Sequence, residues 1–277
     1  MCKSGLNVNQ FKVDVVLLTK NSLKPCLREC VDSIYSNVPV SSLIVVDGGS
    51  TDGTLELLQT YPNVKFVSDV MGTRATARQK GIEAVETLWH VHVDSDVILC
   101  ADWFTRVWRN VEVDVGAVWG AALPTDRHFF NMSYAMSKLY RISVKDLMVK
   151  QMRSERCMMH DTLIRTSTVN GIKIPAMLHI WEDDYIGKYI TKQGYRFLKV
   201  SNPYCLHNVT SNERFEGYVT AGYLMKKRHI GSFKQVARWL VLSIPKAAWI
   251  FVVTRDIQAS KLQFLSSVLT FKGWLSA

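Results

Sequence analysis

Apolar and polar positions change period several times along this chain, and each change marks an element. Residues 13–19 form a short, nearly continuous apolar run, the pattern of a buried strand, and Lys20-Asn21-Ser22 is the loop that follows. Pro25 suits the first turn of a helix over 25–35. A second strand over 42–46 runs into Asp47-Gly48-Gly49-Ser50-Thr51-Asp52-Gly53-Thr54, where residues 50–52 are good N-caps for a helix carrying Leu55 and Leu58. A third strand over 64–67 precedes Gly72-Thr73-Arg74, which enters another helix through Ile82. The fourth strand, 89–93, ends in Asp94-Ser95-Asp96. Strands alternating with helices predict an α/β fold with a mostly parallel sheet, right-handed crossovers, and ligands beyond the strands' carboxyl ends. Thr19, Asp47 and Asp94 all fall at such ends, so a single site is expected there.

Further on, the pattern predicts a helix over 103–110 and a strand over 115–119. Residues 129–152 are methionine-rich and basic, with apolar positions at Met132, Ala135, Met136, Leu139 and Tyr140 in helical spacing. An ordinary packing helix is the favoured reading, and an adaptable wall against lipid or glycan the other. A short strand over 162–165 and a turn over 171–175 lead to a helix whose packed face is Tyr185, Ile186, Tyr189 and Ile190 and whose stop is Gly194. A strand over 195–200 follows, and Asn202-Pro203 turns the chain toward Cys205-Leu206-His207. From residue 223 the character changes. Lys226-Lys227-Arg228-His229 is basic, and 233–253 is largely apolar with Trp239 and Trp249. Pro245 and Lys246 interrupt that run, which leaves it short of the uncharged span of about 18 residues that crossing a bilayer needs. Residues 262–275 are similar. Helices lying in a membrane interface are favoured over helices packed on the core. A domain over 1–210 and a helical appendage over 211–277 are expected.

Composition narrows the field modestly. The 277 residues are 48% apolar and 21% charged, an ordinary globular balance. A net charge of +10 favours anionic partners, but the basic residues concentrate in the apolar tail, which argues against nucleic acid. The six cysteines are scattered; Cys26-x-x-x-Cys30 has no second pair to complete a zinc site. The polar opening over residues 1–10 is unlike a signal peptide, and a cytoplasmic setting with reduced thiols is expected.

The chemistry rests on carboxylates. Side chains two apart on extended backbone share a side, so Asp94 and Asp96 can converge, and a divalent cation between them relieves their repulsion. By itself such a pair is more often a turn. Arg74 and Arg78 lie four apart on one helical face, in reach of a diphosphate. Glu182, Asp183 and Asp184 fall in the first turn of their helix, where the dipole favours the ionised form, and exceed what capping needs.

Taken together, Leu17-Leu18-Thr19-Lys20-Asn21, the stretch from Val45 to Thr54, Ala77-Arg78-Gln79-Lys80-Gly81-Ile82 and Val93-Asp94-Ser95-Asp96 resemble the family-two glycosyltransferases of GT-A fold, over roughly residues 12–207. The resemblance implies a nucleotide-sugar donor, a UDP-sugar being favoured, held by Thr19, Asn21, Asp47, Gly48, Arg74, Arg78, Asp94 and Ser95, with Thr19 and Asp47 near the base. It implies Mg or Mn on Asp94 and Asp96, with His207 as a third ligand. A general base at Asp183 is implied, with Asp184 as second choice and Glu182 beside them. Many relatives carry two aspartates where this chain has Asp47-Gly48, which leaves one base contact open. The expected acceptor is a glycan or polyprenyl-linked molecule at the cytoplasmic membrane face. A polyprenyl-phosphate acceptor, a nucleotidyltransferase and a non-catalytic, membrane-bound nucleotide-binding module stand as alternatives.

Overall fold

The computed structural model describes residues 11–150, 158–208 and 215–277. The polar opening, Cys2, Cys157, the end of the methionine-rich segment at Met152 and the domain boundary expected at residue 210 lie outside them. Strand β1 (Val13–Thr19) leads through α1 (Leu27–Asn37) to β2 (Val40–Asp47), and α2 (Thr54–Leu58) leads to β3 (Val64–Ser68). Helix α3 (Arg74–Glu83) precedes β4 (Trp89–Asp94) and the three-residue β5 (Val97–Leu99). After α4 (Trp103–Trp108) come β6 (Val115–Pro124), β7 (Asp161–Arg165), α7 (Glu182–Lys192) and β8 (Arg196–His207). The eight-stranded sheet has the order β3-β2-β1-β4-β7-β6-β8-β5. Strands β3, β2, β1 and β4 run parallel, whereas β7 is antiparallel to both β4 and β6.

Alternation along β1 explains the layers. Val13, Val15 and Leu17 join Leu27, Val31 and Ile34 of α1 in one core, and Val16 faces the other way toward Ala77 of α3. Helix α3 approaches β1 so closely that a Cβ on Gly81 would lie 2.4 Å from a Val16 methyl. The register sets Thr19 beside Asp47 and Leu18 beside Asp94, so the carboxyl ends of β2, β1 and β4 form one rim. The turn expected at Asn202-Pro203 is absent, and β8 runs straight through both residues. Its pairing with β5 ends at Cys205, short of Pro203, so a residue without an N–H fits there.

The chain divides into two compact units, residues 1–122 with 152–207, and residues 123–151 with 208–277. The second thus takes the methionine-rich segment, which the sequence reading kept with the catalytic part. That segment is two helices, α5 (Arg127–Tyr140) and α6 (Val144–Lys150), because Arg141 turns left-handed at φ 54°. With them are α8 (Phe215–Lys227), α9 (Phe233–Thr254) and α10 (Ile257–Leu275). Helices α8 and α10 meet at glycines: a Cβ on Gly222 would lie 1.9 Å from the Thr270 carbonyl oxygen. Pro245 lies inside α9, and although the apolar run was expected to fall short of a crossing span, by length and composition this helix is apolar enough to cross a membrane. Met136, Ala135 and Leu147 pack with Ile250 and Ala259 in this unit's core.

Candidate active site

The rim at the strand ends is built around Asp47. One carboxylate oxygen accepts from the Thr19 and Ser50 hydroxyls, and the other from the Gly49 and Ser50 N–H groups at 2.8 Å. Burial pushes the Asp47 pKa up, but these donors outweigh it and hold the group below the usual carboxylate range. With all four acceptor positions taken, Asp47 organises the turn that Gly49 makes possible at φ 91°. Asn21 stitches the neighbouring loop to it, accepting from the Thr51 N–H at 2.8 Å while its own N–H donates to Ser50. Gly48 donates its N–H to the Thr19 carbonyl, and the Lys20 stem lies over it, where a Cβ would be 3.2 Å away. The Ser95 hydroxyl donates to that of Ser22 at 3.0 Å, tying the loop after β4 to the loop after β1.

The structure separates the two arginines. Arg74 is exposed at the start of α3, whereas Arg78 is only 1% exposed. One Arg78 amino group is ion-paired with Asp94 and the other lies 3.0 Å from His92 Nδ1. A guanidinium can only donate, so His92 Nδ1 accepts and the ring is neutral, with its proton on Nε2. Burial, reinforced by Arg78, pushes the His92 pKa well below its ordinary value, in keeping with that tautomer. Both Arg78 amino groups are therefore engaged by protein, on Asp94 and on His92. Burial raises the Asp94 pKa, but Arg78 in the first place, with His160 and His207, brings it below the ordinary value.

Strand pairing supplies the remaining donor. The β5–β8 register sets Val97 beside His207, which carries His207 Nε2 to 3.3 Å from Asp96. Asp94, Asp96 and His207 thus offer two partly exposed carboxylates and an imidazole, a donor set that suits Mg or Mn with open positions left for phosphate oxygens. A second cluster, His160, Asp161 and Cys205, has its ligand atoms within 4.8 Å of one another but does not fit an ion. His160 Nδ1 lies 2.7 Å from Asp161, Trp119 donates to His160 Nε2 at 3.1 Å, and Trp103 donates to Asp161 at 3.0 Å. Burial pushes the Cys205 thiol pKa well above its ordinary value, with the Asp161 charge adding to the effect. This cluster underlies the site instead. The His160 carbonyl accepts from the Asp94 N–H, and its ring lies 5.6 Å from that of His207. Sequence spacing among the histidines gave no sign of it, since Cys205 stands far from His160 along the chain.

The acids that open α7 are all buried. Asp184 pairs with Lys188 at 2.8 Å, and Asp183 accepts from the Asp184 N–H at 2.7 Å. Glu182 Oε2 has no hydrogen-bond partner among the described residues. Burial and the Asp183 charge push the Glu182 pKa up to about 7 against the pull of Arg78 and Arg74, so for this acid desolvation overrides the helix dipole. Arg78 is thus bonded to Asp94 and in electrostatic contact with Glu182, linking the strand rim to the start of α7. A cavity of about 350 Å³, lined by Glu86, Trp89, Arg165 and Asn170, involves none of these groups and sits where β4 begins.

Comparison with known proteins is consistent with this geometry. The family described as Glycosyl transferase family 2 matches residues 14–174. Cholesterol galactosyltransferase from Borreliella burgdorferi is 26% identical over 93 residues, which is 32% of this chain and 26% of that enzyme's length. Among solved structures, the mannosyltransferase PcManGT from Pyrobaculum calidifontis, in complex with GDP-Man and Mn2+, is similar with a TM-score of 0.65 at 16% identity, over 97% of this chain and 88% of that one. GalNAc-T7 with UDP, GalNAc and Mn2+ is similar with a TM-score of 0.55 at 14% identity, over 79% of this chain and 50% of that one. These two likenesses concern the fold.

Proposed function

This chain belongs to glycosyl transferase family 2, and from that premise we propose a metal-dependent, inverting enzyme that moves a sugar from a nucleotide-sugar donor to an acceptor hydroxyl at the cytoplasmic face of a membrane. The observation that carries the reading is the approach of His207 to Asp96, two residues after Asp94, beside the rim that holds Thr19, Asp47 and Asp94. Asp94, Asp96 and His207 would hold Mg or Mn, which would supply neutralisation of the charge that develops on the leaving nucleoside diphosphate. Arg78 fixes the Asp94 carboxylate, and the turn organised by Asp47 shapes the base side. Asp183 accepts the acceptor's hydroxyl proton as that oxygen bonds to the anomeric carbon. The bond from that carbon to the diphosphate breaks on the opposite face, and its electron pair leaves with the nucleotide.

The acceptor is a lipid-linked saccharide or another lipid hydroxyl. The similarity to a protein named cholesterol galactosyltransferase supports a lipid, and the buried acids of α7 favour a hydroxyl over a phosphate, which needs no base. The solved neighbours hold GDP-Man in one case and UDP in the other, so the test keeps both bases. Thermal shift with UDP, GDP, CMP and dTDP, each with and without Mn, should show one nucleotide stabilising the protein only with metal. At saturating ligand the gain is on the order of 3 kcal/mol. The same response should vanish in Asp96→Ala. No response to any of the four would sink the reading.

A further inference from the structure

Among the described residues, sixteen of the twenty-four exposed large apolar side chains lie in the second unit, although it is the smaller of the two. Helix α9 concentrates them. Its buried positions, Val236, Ser243 and Ile250, recur every seventh residue and form one narrow stripe. Away from that stripe the surface is largely apolar, with Val241 67%, Ile244 63% and Val252 58% exposed, and is broken by Lys234, Arg238 and Lys246. An apolar helix face of this size left uncovered by protein belongs in an apolar medium, and the basic residues along it, Lys234, Arg238 and Lys246, suit the edge of that medium. Charge indicates the medium. Over residues 215–277 nine lysines and arginines stand against two acids, Glu216 and Asp256, and Asp256 is already bonded to His128 and Asn131. Lys226, Lys227 and Arg228 cluster at the corner just before α9.

Crossing is disfavoured by what α9 is attached to. Trp249 and Ile250 pack on Ala135 and Met136 of α5, and the Trp249 ring N–H donates to the Ala135 carbonyl at 2.7 Å. The α9–α10 corner is Arg255-Asp256, tied to His128 and Asn131 of α5. A membrane-crossing α9 would draw these polar groups into hydrocarbon, whereas an in-plane helix keeps them at the surface.

We propose that the exposed face of α9 around Val241, Ile244 and Val252 lies in one leaflet of an anionic bilayer, with Lys226, Lys227 and Arg228 at its headgroups, and that α9 does not cross. This deepens, and rests on, the reading of the protein as an enzyme acting at a membrane. The test is co-sedimentation of the full chain with vesicles of phosphatidylcholine alone and of an equal mixture with phosphatidylglycerol. Binding to the mixed vesicles, reversed by high salt, is expected. The combined substitutions Val241→Ser, Ile244→Ser and Val252→Ser should weaken it about tenfold or more. Lys226→Glu with Lys227→Glu should remove the preference for anionic lipid. Thermal shift with nucleotide and Mn on the same samples reports whether the first unit is intact. Absence of vesicle binding by the unsubstituted chain, indifference to the serine substitutions, or resistance to alkaline carbonate extraction would each overturn the proposal. Vesicle binding without any nucleotide response supports the docking and counts against the transferase reading alone.

Discussion

Two helices here begin with a buried acid, and their surroundings treat the two acids in opposite ways. Asp256, the N-cap of α10, accepts from the N–H groups of Gln258 and Ala259 and from the Asn131 amide, with His128 Nδ1 2.8 Å away. Burial pushes its pKa up, but these partners bring it down to about 2. Glu182, in the first turn of α7, has an oxygen without a partner, and burial with the Asp183 charge carries its pKa up to about 7. Each acid sits at the positive end of a helix dipole, which contributes about 1 kcal/mol and so cannot separate them. Hydrogen-bond donors do. A fully satisfied acid closes a corner of the second unit, while an acid kept short of donors holds its proton up to about pH 7 in the first.

Three substitutions bear on that contrast. The largest effect belongs to Asp183→Asn, which removes the proposed base: turnover should fall roughly 10²–10⁴-fold while the nucleotide-dependent thermal shift persists. Equal loss of both would place Asp183 in donor binding instead. Next comes Glu182→Gln. An acid whose folded pKa is raised is favourable below its unfolded value near 4.5, and that contribution is lost as pH rises toward 7. The variant mimics the protonated form, so it should be more stable than the parent at pH 8 by on the order of 3 kcal/mol, and equal to it below pH 4.5. Denaturant titrations at the two pH values measure this. Asp256→Asn should behave with the opposite sign. The parent's advantage is present above the unfolded value near 3.8 and lost as pH falls through about 2. At pH 7 the loss should be on the order of 2 kcal/mol, and a variant as stable as the parent there would erase the distinction between the two helix starts.

Much of the first unit was legible because its signals are local. Strands β1, β2 and β4 are short apolar runs, and the residues closing them, Thr19, Asp47 and Asp94, stand side by side by register. Strand β5 escaped notice because three residues carry no periodicity. In the same way, the break at Arg141 depends on one left-handed residue inside an otherwise helical pattern. Arg74 and Arg78 look equivalent in sequence, yet one is exposed and the other is spent on Asp94 and His92. His160 and Asp161, which underlie the rim, follow a segment with no marker of their role.

The succession of elements, the apolar faces that pack them and the carboxylates at the strand ends can be read from the chain alone, because periodicity and strand termini are properties of neighbouring residues. Tertiary structure alone decided which of those polar groups are satisfied. The β5–β8 register brings His207 to Asp96, the packing of α3 buries Arg78 against Asp94, and the approach of α7 leaves Glu182 short of donors. Protonation and ligand geometry follow from such contacts between distant residues, since desolvation and hydrogen bonding depend on what surrounds a group in space.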